Sequence, residues 1–388
     1  FLMYNDISAM SRLHRSASAQ MSRPAISIQK SGGWTFGSPS VLMMFYRASG
    51  ELQSELTEMD ECMPHYYKIT NGHGQGAETI MRAEADFMRA CFADAQIMLE
   101  RAYAQIDGNG QENMALCCDF LAWRLSLCTS FTPRESFEQR REALLGLHNV
   151  TWLNILQSSC AYYYALLGLP EKIPAVFREH QLASIHFLAP GKPMMELIEN
   201  QVYLAQGEYA KVIGHSEALL GMCEAMHYAL VALHIRLQTA AAYEMLGKRE
   251  TADELLISAL AAAEPDALYL PFVENYRYLK TALTRGAGAK FAAFVRTVTP
   301  LGEDFVRRCG EKRAEGSRPA ALAGLTERES AIAALVAKRL SNREIAEQLF
   351  LSEGSVKQYI NQIYSKLLIT GDVRTKRKRL AELAAPKS

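Results

Sequence analysis

The chain has 388 residues, of which 49% are hydrophobic, 22% charged and 9% aromatic. That length leaves room for two or three domains, and those fractions exclude a mostly disordered chain. Forty-two Lys plus Arg balance 42 Asp plus Glu, but residues 307–388 hold 17 basic against 9 acidic side chains, a local net of +8 that leaves residues 1–306 at −8. A basic end beside an acidic body is the charge pattern of a nucleic-acid-contacting module attached to another domain. No run of 18 apolar residues appears, so no membrane-spanning helix is expected. The first residue is Phe1 and no basic-then-apolar segment follows it, so residue 1 is read as an unnatural start with sequence missing upstream. Eight scattered cysteines form no Cys-x-x-Cys pair and no cluster with histidine, which predicts a reducing, cytoplasmic setting without disulfides or zinc.

Residues 1–305 are rich in Ala, Leu, Met, Tyr and Glu and poor in alternating β-branched runs, so helix is predicted throughout. Turn-like residues recur about every 40 positions, at Gly50, Ala90, Thr129/Ser130, Gly168, Gly207, Gly247 and Gly286. A tyrosine stands four residues before several of them, at Tyr46, Tyr164, Tyr203 and Tyr243. Two hairpins are clear: Glu196 to Cys223 about Gly207-Glu208, and Tyr228 to Ala263 about Gly247-Lys248, closed by Pro265. One hairpin cannot bury its apolar stripe alone, so the expectation is a stack of helical hairpins, a solenoid. The stretch Ala241-Ala-Tyr-Glu-Met-Leu-Gly-Lys resembles a tetratricopeptide repeat, although that family's period is shorter, about 34 residues.

Two Gly-rich loops interrupt the pattern, at 31–39 and 71–76. Neither has the Gly-x4-Gly-Lys-Ser/Thr order that cradles phosphates. They read as connectors between close helices, with Trp34 and His73 as the side chains able to face a ligand. No nucleophile and base stand at readable spacing, and neither Gly-x-Ser-x-Gly nor His-Glu-x-x-His occurs, so no enzyme, cofactor or metal centre is expected.

The charged, Gly- and Pro-containing stretch 306–322 reads as a linker. Three helix starts then follow in quick succession. Thr326-Glu-Arg-Glu329 and Ser341-Asn-Arg-Glu344 are capping boxes, and Ser352 is the N-cap of a third helix after a short connection at Phe350-Leu351. On that third helix Val356, Ile360, Ile363 and Leu367 fall within about 60° of arc. Gln358, Asn361 and Ser365 lie on the opposite side, with Lys357 on its flank, and no carboxylate occurs between Gly354 and Thr370. Amides and a lysine free of nearby acids suit base edges in a major groove.

Leu325-Thr-Glu-Arg-Glu329, Ser341-Asn-Arg-Glu-Ile-Ala346 and Leu351-Ser-Glu-Gly-Ser-Val-Lys357 with Lys366-Leu367 resemble the LuxR/FixJ-type DNA-binding domain over residues 323–388. The resemblance implies four helices, the third entering the major groove of double-stranded operator DNA. Lys357, Gln358 and Asn361 match its base-facing positions, and Ser341, Asn342, Ser355 and Lys366 match positions that touch the DNA backbone. It also implies a homodimer through the fourth helix, for which Leu380 and Leu383 offer only a thin apolar strip. The body is similar to the sensor region of MalT-like regulators, which implies an effector, a small molecule or a protein, and a nucleotide-binding switch domain upstream that this chain does not contain. The chain departs from the family at Arg339, where Gly is common at a left-handed helix end; at Tyr359, in place of His; and in a longer loop at 369–373 followed by the basic run 374–379. The sequence thus predicts an all-α transcription regulator; a helical-repeat adaptor without sequence-specific DNA binding is the competing reading.

Overall fold

The computed structural model describes residues 7–25, 38–108, 110–185, 189–286, 288, 290–316 and 325–384. Every regular element among them is helical, and the chain forms two compact units, Phe1–Cys309 and Gly310–Ser388. No helix among the described residues is long and apolar enough to cross a membrane.

The first unit opens with α1 (Ile7–Gln20), α2 (Val41–Phe45), α3 (Leu52–Thr70), α4 (Ala77–Met88), α5 (Phe92–Ile106) and α6 (Glu112–Cys128). It continues with α7 (Phe137–Leu145), α8 (Val150–Leu167), α9 (Ala175–Arg178), α10 (Lys192–Gln206) and α11 (Tyr209–Ala225). The last helices are α12 (Ala229–Met245), α13 (Arg249–Ala263), α14 (Leu270–Glu274), α15 (Tyr276–Gly286) and α16 (Ala292–Gly316). From α10 to α13 each helix packs on the next, and α12 also packs on α10 and α15, as stacked hairpins require.

The tyrosine–glycine spacing has a hydrogen-bonding cause. Gly168, Gly207 and Gly247 adopt φ of 71°, 78° and 74°, the left-handed residue that ends a helix. The next amide then donates back to the tyrosine carbonyl: Leu169 to Tyr164 at 3.0 Å, Glu208 to Tyr203 at 2.9 Å, Lys248 to Tyr243 at 2.9 Å. Each tyrosine ring also lies under a lysine from the chain just beyond its turn, Lys172, Lys211 and Lys248, at 5.3–5.9 Å. The unit of repetition is a helix end and its cation, more than a shared sequence.

The stack is not built from neighbour contacts alone. The Tyr46 hydroxyl donates to Asp266 at 2.6 Å, the Gly50 amide to the same carboxylate at 2.6 Å, and Tyr269 N–H to the Met88 carbonyl at 2.8 Å. The start of the unit therefore folds back onto α12 and α14. Below this seam Arg124 of α6 is fully buried against Glu274 of α14, at 2.8 and 3.1 Å, and Tyr162 donates to the same carboxylate at 2.8 Å. Arg124 also sits over the rings of Phe87, Phe120 and Tyr162.

α16 carries helix to Gly316, through the first part of the stretch whose composition reads as linker. Glu311 to Glu315 are strong helix formers, and Phe305 and Cys309 are buried, so one glycine at 310 does not stop the helix. Its approach to α15 leaves no room for a Cβ at Gly302 beside the Tyr276 ring. All eight cysteines are free thiols.

Candidate nucleic-acid interface

The second unit contains α17 (Glu327–Ala337), α18 (Asn342–Leu349), α19 (Glu353–Lys366) and α20 (Val373–Ala384). Thr326 and Glu329 exchange both capping-box bonds, at 3.3 and 2.7 Å, and Ser341 and Glu344 do the same at 3.3 and 2.7 Å. Ser352 accepts from the Ser355 amide at 3.0 Å. With both ends fixed, Val356, Ile360 and Ile363 of α19 enter a small core with Ile332, Val336, Ile345 and Leu380. The three-residue turn 350–352 holds α18 and α19 as a helix-turn-helix.

The three C-terminal helix ends are unusual in chemistry. Arg339, Phe350 and Leu368 have φ of 62°, 53° and 51°, and the following amides donate to the carbonyls five residues back, at 3.2, 2.9 and 2.9 Å. Arg339 takes the left-handed backbone expected at this helix end from the sequence; Phe350 and Leu368 carry large apolar side chains 94% and 85% exposed.

The outward face of α19 carries Lys357, Gln358 and Asn361, all exposed, with no hydrogen bond from their side chains to the described residues. Gln362, also exposed and one turn beyond Gln358, belongs to this face although the sequence argument did not single it out. Its angular position, about 240° from Val356, would have marked it.

The other four residues are already engaged inside the domain. The Ser341 hydroxyl donates to Glu344 at 2.7 Å, and the Ser355 and Ser352 hydroxyls share a bond at 2.8 Å. Asn342 Oδ1 accepts from Arg377 of α20 at 2.7 Å, while the same guanidinium donates to the Leu340 carbonyl at 2.6 Å. Lys366 donates to the buried Glu329 at 2.7 Å. Burial alone would raise the Glu329 carboxyl, but Lys366 and the Thr326 amide outweigh it and hold it below its ordinary value. Arg377, which fastens α20 to the start of α18, escaped the sequence argument because its partners lie 35 and 37 residues away. Leu380 is spent in the domain's own core against α17, and Leu383 is partly buried there too.

His73 is buried, 2.7 Å from the Tyr66 hydroxyl. Its loop is pinned by Gln111, which accepts from Gly74 N–H at 2.7 Å and donates to the Gly72 carbonyl at 3.1 Å. Trp34 lies outside the described residues. Among the described residues no group of three or more His, Cys, Asp or Glu is placed to hold a metal ion.

These four helices, two capping boxes and short second turn define a helix-turn-helix domain of the LuxR type. Residues 323–377 match the family described as bacterial regulatory proteins, luxR family (GerE). The chain is similar to the transcriptional regulatory protein LnrK of Bacillus subtilis (strain 168), 41% identical over 63 residues, 15% of this chain and 29% of that protein. It is also similar to the DNA-binding transcriptional activator DevR/DosR of Mycobacterium tuberculosis, 39% identical over 46 residues, 12% of this chain and 21% of the relative. The chain thus spans less than a third of the length of these curated relatives. No solved structure matches the chain.

Proposed function

We propose that the protein is a DNA-binding transcriptional regulator, without catalytic activity, whose α19 reads the major groove of operator DNA. The observation that carries this reading is the unoccupied face of Lys357, Gln358 and Asn361, free of carboxylates over two further turns, in a domain of LuxR type. Gln and Asn can pair bidentately with adenine, and Lys can donate to guanine. Around them Ser341, Asn342, Ser355 and Lys366 would meet phosphates. Arg377 occupies Asn342 Oδ1, which leaves the amide N–H2 as the outward donor, and Lys366 keeps donors beyond the one given to Glu329. A dimer on DNA would need a surface other than Leu380. In this proposal the helical body receives a small-molecule or protein signal.

The test is gel-shift titration of the full chain on genomic fragments enriched for binding and on random duplex. Asn361→Ala and Gln358→Ala each forfeit a contact worth about 1–3 kcal/mol, so operator affinity should fall about 5- to 150-fold with random-duplex affinity unchanged. Equal losses on both duplexes would refute base readout by this face.

A further inference from the structure

A cavity of about 830 Å³ lies where α11, α12 and α13 meet, with residues 46–49 on its wall. Two bonds fix that wall: Ala229 N–H to the Tyr46 carbonyl at 3.1 Å, and the Ser49 hydroxyl to the Ala262 carbonyl at 2.6 Å. One face of α12 runs its length, contributing Ala229, Ala232, Leu233, Arg236, Thr239 and Tyr243 at helical spacing. Leu220 and Gly221 of α11 and Leu255 of α13 complete a lining that is small and apolar for much of its extent. The volume falls in the range of sites for small organic ligands.

Several polar groups of the lining are already satisfied. Tyr46 donates to Asp266, Arg47 is held by Glu55 and Glu58, and the hydroxyls of Ser216 and Thr239 donate to carbonyls of their own helices. Others are not. The guanidinium of Arg236, half-buried, makes no hydrogen bond and no ion pair with the described residues, and the hydroxyl of Tyr228, a residue 2% exposed, is likewise without a bond, as are those of the partly exposed Tyr243 and Thr251. A guanidinium without a protein partner keeps all its donors for an anion, with which it forms charge-assisted hydrogen bonds. On the exposed edge, Glu217 and Glu224 of α11 are likewise unpaired. One unpaired arginine within and two carboxylates outside disfavour a nucleotide or other polyanion, which would find the second arginine, Arg47, already paired and meet two like charges.

We propose that this cavity binds a small organic monocarboxylate with an apolar body, its carboxylate on Arg236 and its chain along the alanine and leucine side chains of α12. Burial pushes the Tyr228 phenol up to about 12, so it stays protonated and serves the same carboxylate as a donor. The inference gives chemical content to the sensor role proposed above and rests on it only for the link to DNA.

The experiment uses the full chain, 8-anilinonaphthalene-1-sulfonate as fluorescent probe, and sodium decanoate and ATP as competitors. The dye should bind at one equivalent and be displaced by decanoate but not by ATP. Arg236→Met should weaken dye and decanoate at least tenfold with an unchanged thermal midpoint, because the side chain has no partner to lose; Arg236→Gln supplies the same answer should the methionine variant not fold. Undiminished binding by a folded Arg236 variant, displacement by ATP as effective as by decanoate, or no dye binding at all would overturn the site. Gel shifts with and without decanoate separate the two ideas. Binding through Arg236 that leaves DNA affinity unchanged refutes the sensor role alone, whereas a DNA response that survives Arg236→Met refutes the site.

Discussion

Replacing Arg339 by glycine should stabilise the DNA-binding domain. Arg339 is exposed and holds φ of 62°, and its side chain makes no hydrogen bond or ion pair with the described residues, so it offsets none of the strain. A left-handed conformation costs an L-residue about 1–2 kcal/mol, and glycine escapes it. Glycine gives back about 0.4–1 kcal/mol through the greater freedom of the unfolded chain. Loss of the cation at the end of α17 removes a few tenths more, about 0.3 kcal/mol. At the middle of these ranges the balance is a gain of about 0.5 kcal/mol, which for a domain of this size raises the midpoint by roughly 2–4 °C. The measurement is thermal unfolding of fragment 310–388, which has its own core, followed by circular dichroism. Arg339→Ala is the decisive companion, since alanine keeps the Cβ and loses only the charge. If alanine stabilises as much as glycine, the backbone explanation is wrong and charge repulsion in a basic domain is the cause.

Arg124→Met leaves Glu274 buried without its cationic partner and should cost about 3–5 kcal/mol, read as a lower urea midpoint for the body; a cost under about 1 kcal/mol would refute the view that the buried pair holds α6 to α14. Glu84 is buried, and desolvation raises its carboxyl to about 7 against the weaker pull of the Leu42 amide and Ser40. Between its ordinary value of 4.5 and about 7 the folded chain holds a proton that the unfolded chain releases, so this group's contribution to stability declines as pH rises through that window. Glu84→Gln, which does not titrate, should therefore gain on the wild type from pH 5 to pH 8 by up to about 3 kcal/mol; a constant difference between the two melting curves would refute the shift.

What the sequence made legible is what is local. Capping boxes at 326–329 and 341–344 join residues three apart, and the stripe Val356, Ile360, Ile363 closes within two turns, so capping residues and periodicity placed three helix starts and one solvent face. Tyrosine four residues before glycine was likewise visible, though its cause, an amide returning to the tyrosine carbonyl, needed the backbone. Long-range bonds left no such trace. The pairs Tyr46–Asp266 and Arg124–Glu274 join positions 220 and 150 residues apart, and nothing in either neighbourhood marks its partner. A shorter separation, 35 residues, was enough to hide Arg377 behind Asn342, and a run of Glu, Lys, Arg and Ala read as linker because composition cannot tell a charged helix from a charged loop.

The Asp266 carboxylate is the clasp of the body. It accepts from the Tyr46 hydroxyl and from the amides of Gly50 and Leu52, while its own carbonyl accepts from Arg89 at 3.0 Å. An open array frays from its two tips inward, one repeat at a time. Here residues 46–52 are fastened across the body to Asp266, so that segment cannot peel away without breaking the clasp. A chain shortened past Leu52 would strip three donors from a single acid, lay bare one side of α12 and take down a wall of the chamber beside it.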